Sequence, residues 1–193
     1  MASRVLTPPL IDRLIPMGSA LVRIPLQLAL GVAFVALLAQ LRIDVGPVPI
    51  TGQTLGVLLV AAAYGFGLGA LTMVGYLIVG GLGLGVFTGG ASGWAYLAGT
   101  TGGYLVGFVL AAALVGYLAQ RGWDRRPLTT AAAMVLGNLV IYACGLAWLA
   151  QYAPDFATTL AWGLIPFIPG DLVKIALAAA LLPTAWRLLG KRH

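Results

Sequence analysis

Two oppositely charged residues interrupt an otherwise apolar run, Ile165-Pro-Phe-Ile-Pro-Gly-Asp171-Leu-Val-Lys174-Ile-Ala-Leu177. A spacing of three places both on one face of a helix, and Pro169-Gly170 reads as that helix's start. Together they can grip a polar solute. Lys174 donates to a carboxylate or carbonyl, Asp171 accepts from N–H groups, and the first-turn amides add partial positive charge. Charges within membrane spans are costly and usually functional. The competing reading is a structural ion pair, but such pairs are often replaceable by apolar side chains without loss of stability. Asn138 and Tyr142, four apart in Met134-Val-Leu-Gly-Asn138-Leu-Val-Ile-Tyr142, share a helix face. They either bond between helices or line the same pocket. In the connecting segments Thr51, Gln53, Phe87, Trp94 and Tyr96 are placed to close such a pocket.

The elements that carry these residues follow from composition. Of 193 residues, 61% are apolar and only 8% charged, with a mean hydropathy of +1.00. A soluble domain is about 25% charged, so these numbers exclude a water-facing surface, and they exclude disorder. The fold class expected is an all-α membrane protein with six transmembrane helices. They run over Ile24–Leu41, Thr54–Phe66, Leu68–Leu84, Thr100–Gln120, Thr129–Tyr152 and Gly170–Leu189. The second is short for a span of about 20 residues and is expected to be tilted or enclosed by protein. Residues 1–23 form an amphipathic N-terminal segment (Leu10, Ile11, Leu14, Ile15, Met17) expected on the cytoplasmic membrane surface, and 24–193 the six-helix substrate-binding domain. Gly65-Phe-Gly-Leu-Gly69 is a tight turn between spans, and Ala153–Pro169 a segment dipping against the protein.

Charge sets the orientation. With six spans, Arg4, Arg13, Arg23, Arg121, Arg125, Arg126, Arg187, Lys191 and Arg192 share one side, and only Arg42 lies on the other. The positive-inside rule then makes both termini cytoplasmic. The same confinement of cations to ends and loops excludes nucleic-acid binding, despite a net charge of +6. A single cysteine, Cys144, and a single histidine, His193, leave no material for a disulfide, a catalytic triad or a histidine-based metal site. No phosphate-cradling G-x-x-x-x-G-K-[ST] loop occurs, so ATP-driven uptake needs another polypeptide. Ala29 and Ala33 form a small-residue face on the first span, suited to close approach by another helix of the bundle or of a partner.

Several segments taken together resemble the BioY family, the biotin-binding S components of energy-coupling factor (ECF) transporters. They are Pro47-Val-Pro-Ile-Thr-Gly-Gln53-Thr54-Leu, Gly80–Gly90, Thr101-Gly-Gly-Tyr104-Leu, Gly137-Asn138 and Pro166-Phe-Ile-Pro-Gly-Asp171-Leu-Val-Lys174. The likeness covers nearly all the chain from Arg23 onward, with departures at Gly85 and Gly99-Thr100-Thr101. The resemblance implies the S-component fold, biotin bound near the outer surface, and no cofactor or catalytic activity. It implies Asp171 and Lys174 as the ligand-contacting pair, Asn138 as a third member, and the loop holding Phe87 as a lid. It also implies Ala29 and Ala33 as the docking face for the transmembrane coupling subunit, ATPase subunits as the energy source, and a prokaryotic plasma membrane as the location. The alternatives are an S component for another small vitamin and a stand-alone membrane facilitator.

Overall fold

A computed structural model describes residues 7–14 and 19–190. Arg4, Ile15, Met17, Lys191, Arg192 and His193 lie outside the described residues. The helices are α1 (Leu10–Leu14), α2 (Ala20–Ala39), α3 (Gln53–Gly81), α4 (Trp94–Leu97), α5 (Gly102–Gln120), α6 (Pro127–Leu149), α7 (Phe156–Gly163) and α8 (Ile168–Gly190). Between α2 and α3 a two-residue antiparallel ribbon pairs β1 (Arg42–Ile43) with β2 (Ile50–Thr51). The all-α expectation holds apart from this ribbon. Five helical stretches are long and apolar enough to cross a membrane.

α3 is not one rod. Gly65 has φ 78° and ψ −176°, outside helical values. Gln53 Nε2 donates to the Tyr76 hydroxyl at 2.7 Å although the two residues stand 23 apart. A straight helix would separate them by about 35 Å, so the chain reverses at Gly65 and the two halves run antiparallel. A Cβ on Gly69 would lie 3.1 Å from the Ala61 Cα, and one on Gly116 would lie 2.4 Å from the Gly65 carbonyl carbon. Missing side chains on both sides therefore make the turn possible. The turn falls within the expected Gly65–Gly69 segment, and the second half ends at Gly81, three residues before the expected Leu84.

The first half of α3 is buried along nearly its whole length (Val57, Leu58, Val60, Ala61, Ala62, Tyr64), which explains how so short a helix is accommodated. α5 packs closely against both α3 and α6. A Cβ on Gly107 would meet the Ile141 Cα at 3.0 Å, and one on Gly103 would meet the Cys144 carbonyl at 2.5 Å. These glycines bring α6 near enough to aim Tyr142 at α8. The Ala153–Pro169 segment, expected to dip against the protein, contains α7 and a short 3-10 turn over Ile165–Phe167. Asp155 caps α7 by accepting from the Thr158 amide at 2.7 Å, and Tyr104 on α5 donates to the Gly163 carbonyl at 2.8 Å. α1 also departs from expectation. Leu10 and Ile11 are buried in the core rather than laid on a membrane surface, and Thr7 anchors this segment by two bonds to the Gln120 carbonyl, 2.9 and 3.0 Å long.

Candidate functional site

The site lies at the end of the bundle opposite the basic loop Arg121–Arg126, where β2 leads into α3 and where α8 begins. α8 follows a 3-10 turn over Ile165–Phe167, so Asp171 falls in its first turn and Lys174 one turn deeper. Lys174 Nζ lies 3.0 Å from Asp171 Oδ1 and donates to Thr54 Oγ1 at 2.8 Å. Thr54 in turn donates to Asp171 Oδ1 at 3.4 Å. The second carboxylate oxygen, Oδ2, accepts from the Tyr142 hydroxyl on α6. Three helices thus converge on one carboxylate that is only 5% exposed. An ammonium has three donors. Two are spent on Asp171 and Thr54, and the side chain borders an open cleft.

That cleft is lined by Lys174, Tyr142, Gln53, Thr54, Thr51, Val48 and Pro49, with Tyr96, Tyr104, Phe108 and Phe167 as its aromatic walls. Its volume is about 40 Å³, room for a few waters. Ligand pockets for drug-sized molecules run to about 300 Å³ or more, so such a ligand has to widen it. The floor is a bonded ion pair among packed helices, whereas the mouth is made of the connecting segments at Val48–Thr51 and Tyr96–Thr101.

Asp171 itself does not line the cleft. It is covered by the groups it holds, so its part is to fix Lys174 and Tyr142 at the wall. Gln53 lines the cleft, but both ends of its amide are engaged. Nε2 donates to Tyr76, and Oε1 accepts from Thr51 Oγ1 at 3.1 Å. Tyr76 then donates to the Val86 carbonyl at 2.8 Å. This relay ties the start of α3 to the segment that follows α3.

Asn138 stands apart from the main cleft. It is 6% exposed and borders a separate, almost filled space behind Lys174, with Leu58, Met134 and Ala178. Its Oδ1 has no hydrogen-bond partner among the described residues. Phe87 is fully buried and off the cleft wall. It fills the gap above Gly80, meets Tyr76 edge-on with centroids 5.3 Å apart, and stacks under Tyr96 at 5.1 Å. Phe87, expected to help close the ligand pocket, sits beneath Tyr96, which does line the cleft. Burial pushes the Tyr96 phenol's pKa upward, so this wall stays neutral. Trp94 is exposed and covers Gly81 instead. Trp148 donates to the Gly99 carbonyl at 2.9 Å and Tyr152 to the Ala98 carbonyl, so these aromatics also tether the segment that joins α4 to α5.

Sequence reasoning did not single out Thr54, Tyr104, Phe108 or Phe167 as wall residues. Thr54 had a usable signal, a hydroxyl at the start of a helix beside Gln53. Phe108 had none, being one more aromatic in an apolar run.

Comparison with known proteins decides the family. The BioY family profile matches residues 15–191. The chain belongs to the BioY family. A probable biotin transporter BioY from Pyrococcus horikoshii is 39% identical over 79% of this chain and 90% of its own length. The biotin transporter BioY from Rhizobium etli is 37% identical over 75% of this chain and 81% of its own. The crystal structure of the S-component for biotin from an ECF-type ABC transporter superposes with a TM-score of 0.79 at 27% identity, covering 92% of this chain and 96% of that one. The fold is therefore that of an ECF S component, and this BioY chain is a multi-pass protein of a prokaryotic plasma membrane. In this BioY fold the Asp171–Lys174 couple sits at one mouth of the bundle, beside a cleft and away from the arginine-rich end.

Proposed function

We propose that the chain is the high-affinity biotin-binding S component of an ECF-type transporter, and a carrier rather than an enzyme. The observation that carries this reading is the Lys174 ammonium, neutralised by Asp171, at the wall of an aromatic cleft. Biotin has an apolar body, a carboxylate, and a ureido group with two N–H donors and one carbonyl. Lys174 has a donor left for either acceptor end of that molecule, and Tyr96, Tyr104, Phe108 and Phe167 supply apolar contact. Asp171 holds Lys174 and Tyr142 in register, and Asn138 backs Lys174 from behind. The names of the relatives and of the superposed S component support the choice of ligand.

The working arrangement in this reading has six spans, because α3 folds back on itself, and both termini cytoplasmic, because Arg13, Arg23, Arg121, Arg125, Arg126 and Arg187 stand at one end of the bundle. Ala29 and Ala33 then face a transmembrane coupling subunit. They line an open apolar groove of about 730 Å³ between α2 and the second half of α3, with Ala36 and Gly75 as further small residues. ATPase subunits supply the energy.

Isothermal titration of the purified full chain with biotin tests the reading. Saturable one-site binding that other water-soluble vitamins do not compete away is the expected result, with Lys174→Ala weakening it by roughly 2–5 kcal/mol. Absence of binding overturns the reading, and equal displacement by another vitamin reassigns the ligand.

A further inference from the structure

A second polar cleft lies at the arginine-rich end of the bundle, between α1, the start of α2 and the Gly65 turn. It has a volume of about 350 Å³, and its lining includes Asp12, Arg23, Gln27, Gln120, Ile24 and Leu71. Arg23 and Gln27 stand four apart on α2, one turn over the other on the face toward α3. Gln27 is only 1% exposed, and its side-chain Nε2 has no hydrogen-bond partner among the described residues. The Nε of Arg23 is likewise buried and unpartnered.

The neighbouring acceptors are occupied or out of reach. The Gln27 main-chain carbonyl takes the Tyr64 hydroxyl at 2.8 Å. Gln120 Oε1 takes the Phe66 amide at 3.3 Å. Asp12 approaches Arg23 only through a terminal nitrogen, at 3.8 Å. A buried donor left unmade is costly. Two of them, one turn apart on residues that line one cleft, lack an acceptor among the described residues.

The surroundings set its chemistry. Beside the two donors the cleft wall carries Ile24 and Leu71, which are 40% and 49% exposed on the apolar flank. The occupant therefore joins an oxyanion to an apolar tail. Arg13, Arg121, Arg125, Arg126 and Arg187 stand at the same end of the bundle, and such a field favours anionic headgroups. We propose that Arg23 and Gln27 hold the phosphodiester of an anionic phospholipid, with its acyl chains along Ile24 and Leu71. The lipid completes the hydrogen bonding of α2 and fixes that helix against the Gly65 turn.

Native mass spectrometry of the purified, delipidated full chain tests this. The chain is titrated with phosphatidylglycerol, with phosphatidylcholine, and with phosphatidylglycerol in the presence of inorganic phosphate. We expect one phosphatidylglycerol retained about fivefold more tightly than phosphatidylcholine, and no displacement by millimolar phosphate. Gln27→Leu and Arg23→Gln should each weaken retention about tenfold. Gln27→Glu keeps size and polarity but repels an anion, and should abolish it. Equal retention of both lipids by the wild-type chain overturns the proposal without recourse to any variant. So does undiminished retention by a folded Gln27→Glu chain, and displacement by inorganic phosphate, which would assign the cleft to a free anion.

Discussion

The Tyr142 hydroxyl on α6 donates to the same carboxylate, Asp171 on α8, that holds Lys174 from its other oxygen. The three side chains form one unit rather than three independent contacts. Asp171 leaves no unpaired charge in the bundle, and Tyr142 fixes the carboxylate's tilt. Lys174 is thereby held at the cleft by two hydrogen bonds. Preorganisation of this kind lowers the ordering cost of binding, which suits a protein that must capture a scarce solute.

Removing the Tyr142 hydroxyl should therefore weaken biotin binding although the ion pair survives. We expect Tyr142→Phe to lose roughly 1.5–3 kcal/mol, the worth of a hydrogen bond to a charged group. Asn138→Ala should lose less, because Asn138 borders the space behind Lys174 and not the main cleft. Titration calorimetry of both variants gives the order. A larger loss in Asn138→Ala would place that amide on the ligand and break the assignment.

The reversal at Gly65 offers a paired test of the fold. Gly116→Ala puts a Cβ within 2.4 Å of the Gly65 backbone, whereas one on Gly67 would meet nothing within 4 Å. Overpacking of this kind costs about 1–3 kcal/mol. Gly116→Ala should lower the midpoint of thermal unfolding in detergent, and Gly67→Ala should leave it nearly unchanged. Equal midpoints would mean that α5 does not press on the turn.

The parts of this architecture legible in the sequence are those where chemistry departs from its background. Asp171 and Lys174 stood out because charge is rare in an apolar run, and the α3 turn because three glycines cluster at Gly65, Gly67 and Gly69. Phe108 and Tyr104 were invisible as wall residues, since aromatics are common in spans and only packing decides which face the cleft. Phe87 was assigned to the ligand because an aromatic in a glycine-rich loop looks the same in sequence whether it points inward or supports a neighbour. What separates the two is the side-chain-free gap above Gly80. α7 is not legible as a helix because Pro154 and Pro166 flank an element of only 8 residues. The exposed apolar side of α1 was expected on a membrane surface, but Leu10 and Ile11 instead found space against α3 and the bundle core.

The groove holding Ala29 and Ala33 should matter for uptake and not for binding. It opens to the side of the bundle between α2 and the second half of α3, and shares no lining residue with the ligand cleft. Ala33→Leu adds bulk that a docking helix must avoid, at a residue already exposed. We expect biotin affinity within about twofold of wild type, the size of ordinary surface substitutions. Uptake in cells that also carry the coupling and ATPase subunits should fall several-fold. Normal uptake would remove this face from the docking surface.

Asp124 supplies a pH-dependent prediction away from the membrane core. It lies in the turn between α5 and α6, is 3% exposed, and accepts from Trp186 Nε1 through Oδ2. Its Oδ1 is buried without a partner among the described residues. Burial raises its pKa above the ordinary 3.8, against smaller lowering effects of the Trp186 bond, a backbone bond and the Arg125 charge. The folded state therefore holds a proton more tightly than the unfolded one. The stability this contributes is fully present below the ordinary carboxylate pKa and is lost as pH rises through the raised value. Near neutral pH the turn carries the cost of a poorly solvated carboxylate. Asp124→Asn keeps an acceptor for Trp186 and removes the charge. It should raise the unfolding midpoint in detergent near neutral pH, with the gain over wild type shrinking as the buffer is made more acidic. A loss near neutral pH would show that the carboxylate is held by Arg125 strongly enough to outweigh its burial, and a gain independent of pH would show that ionisation of Asp124 is not its source.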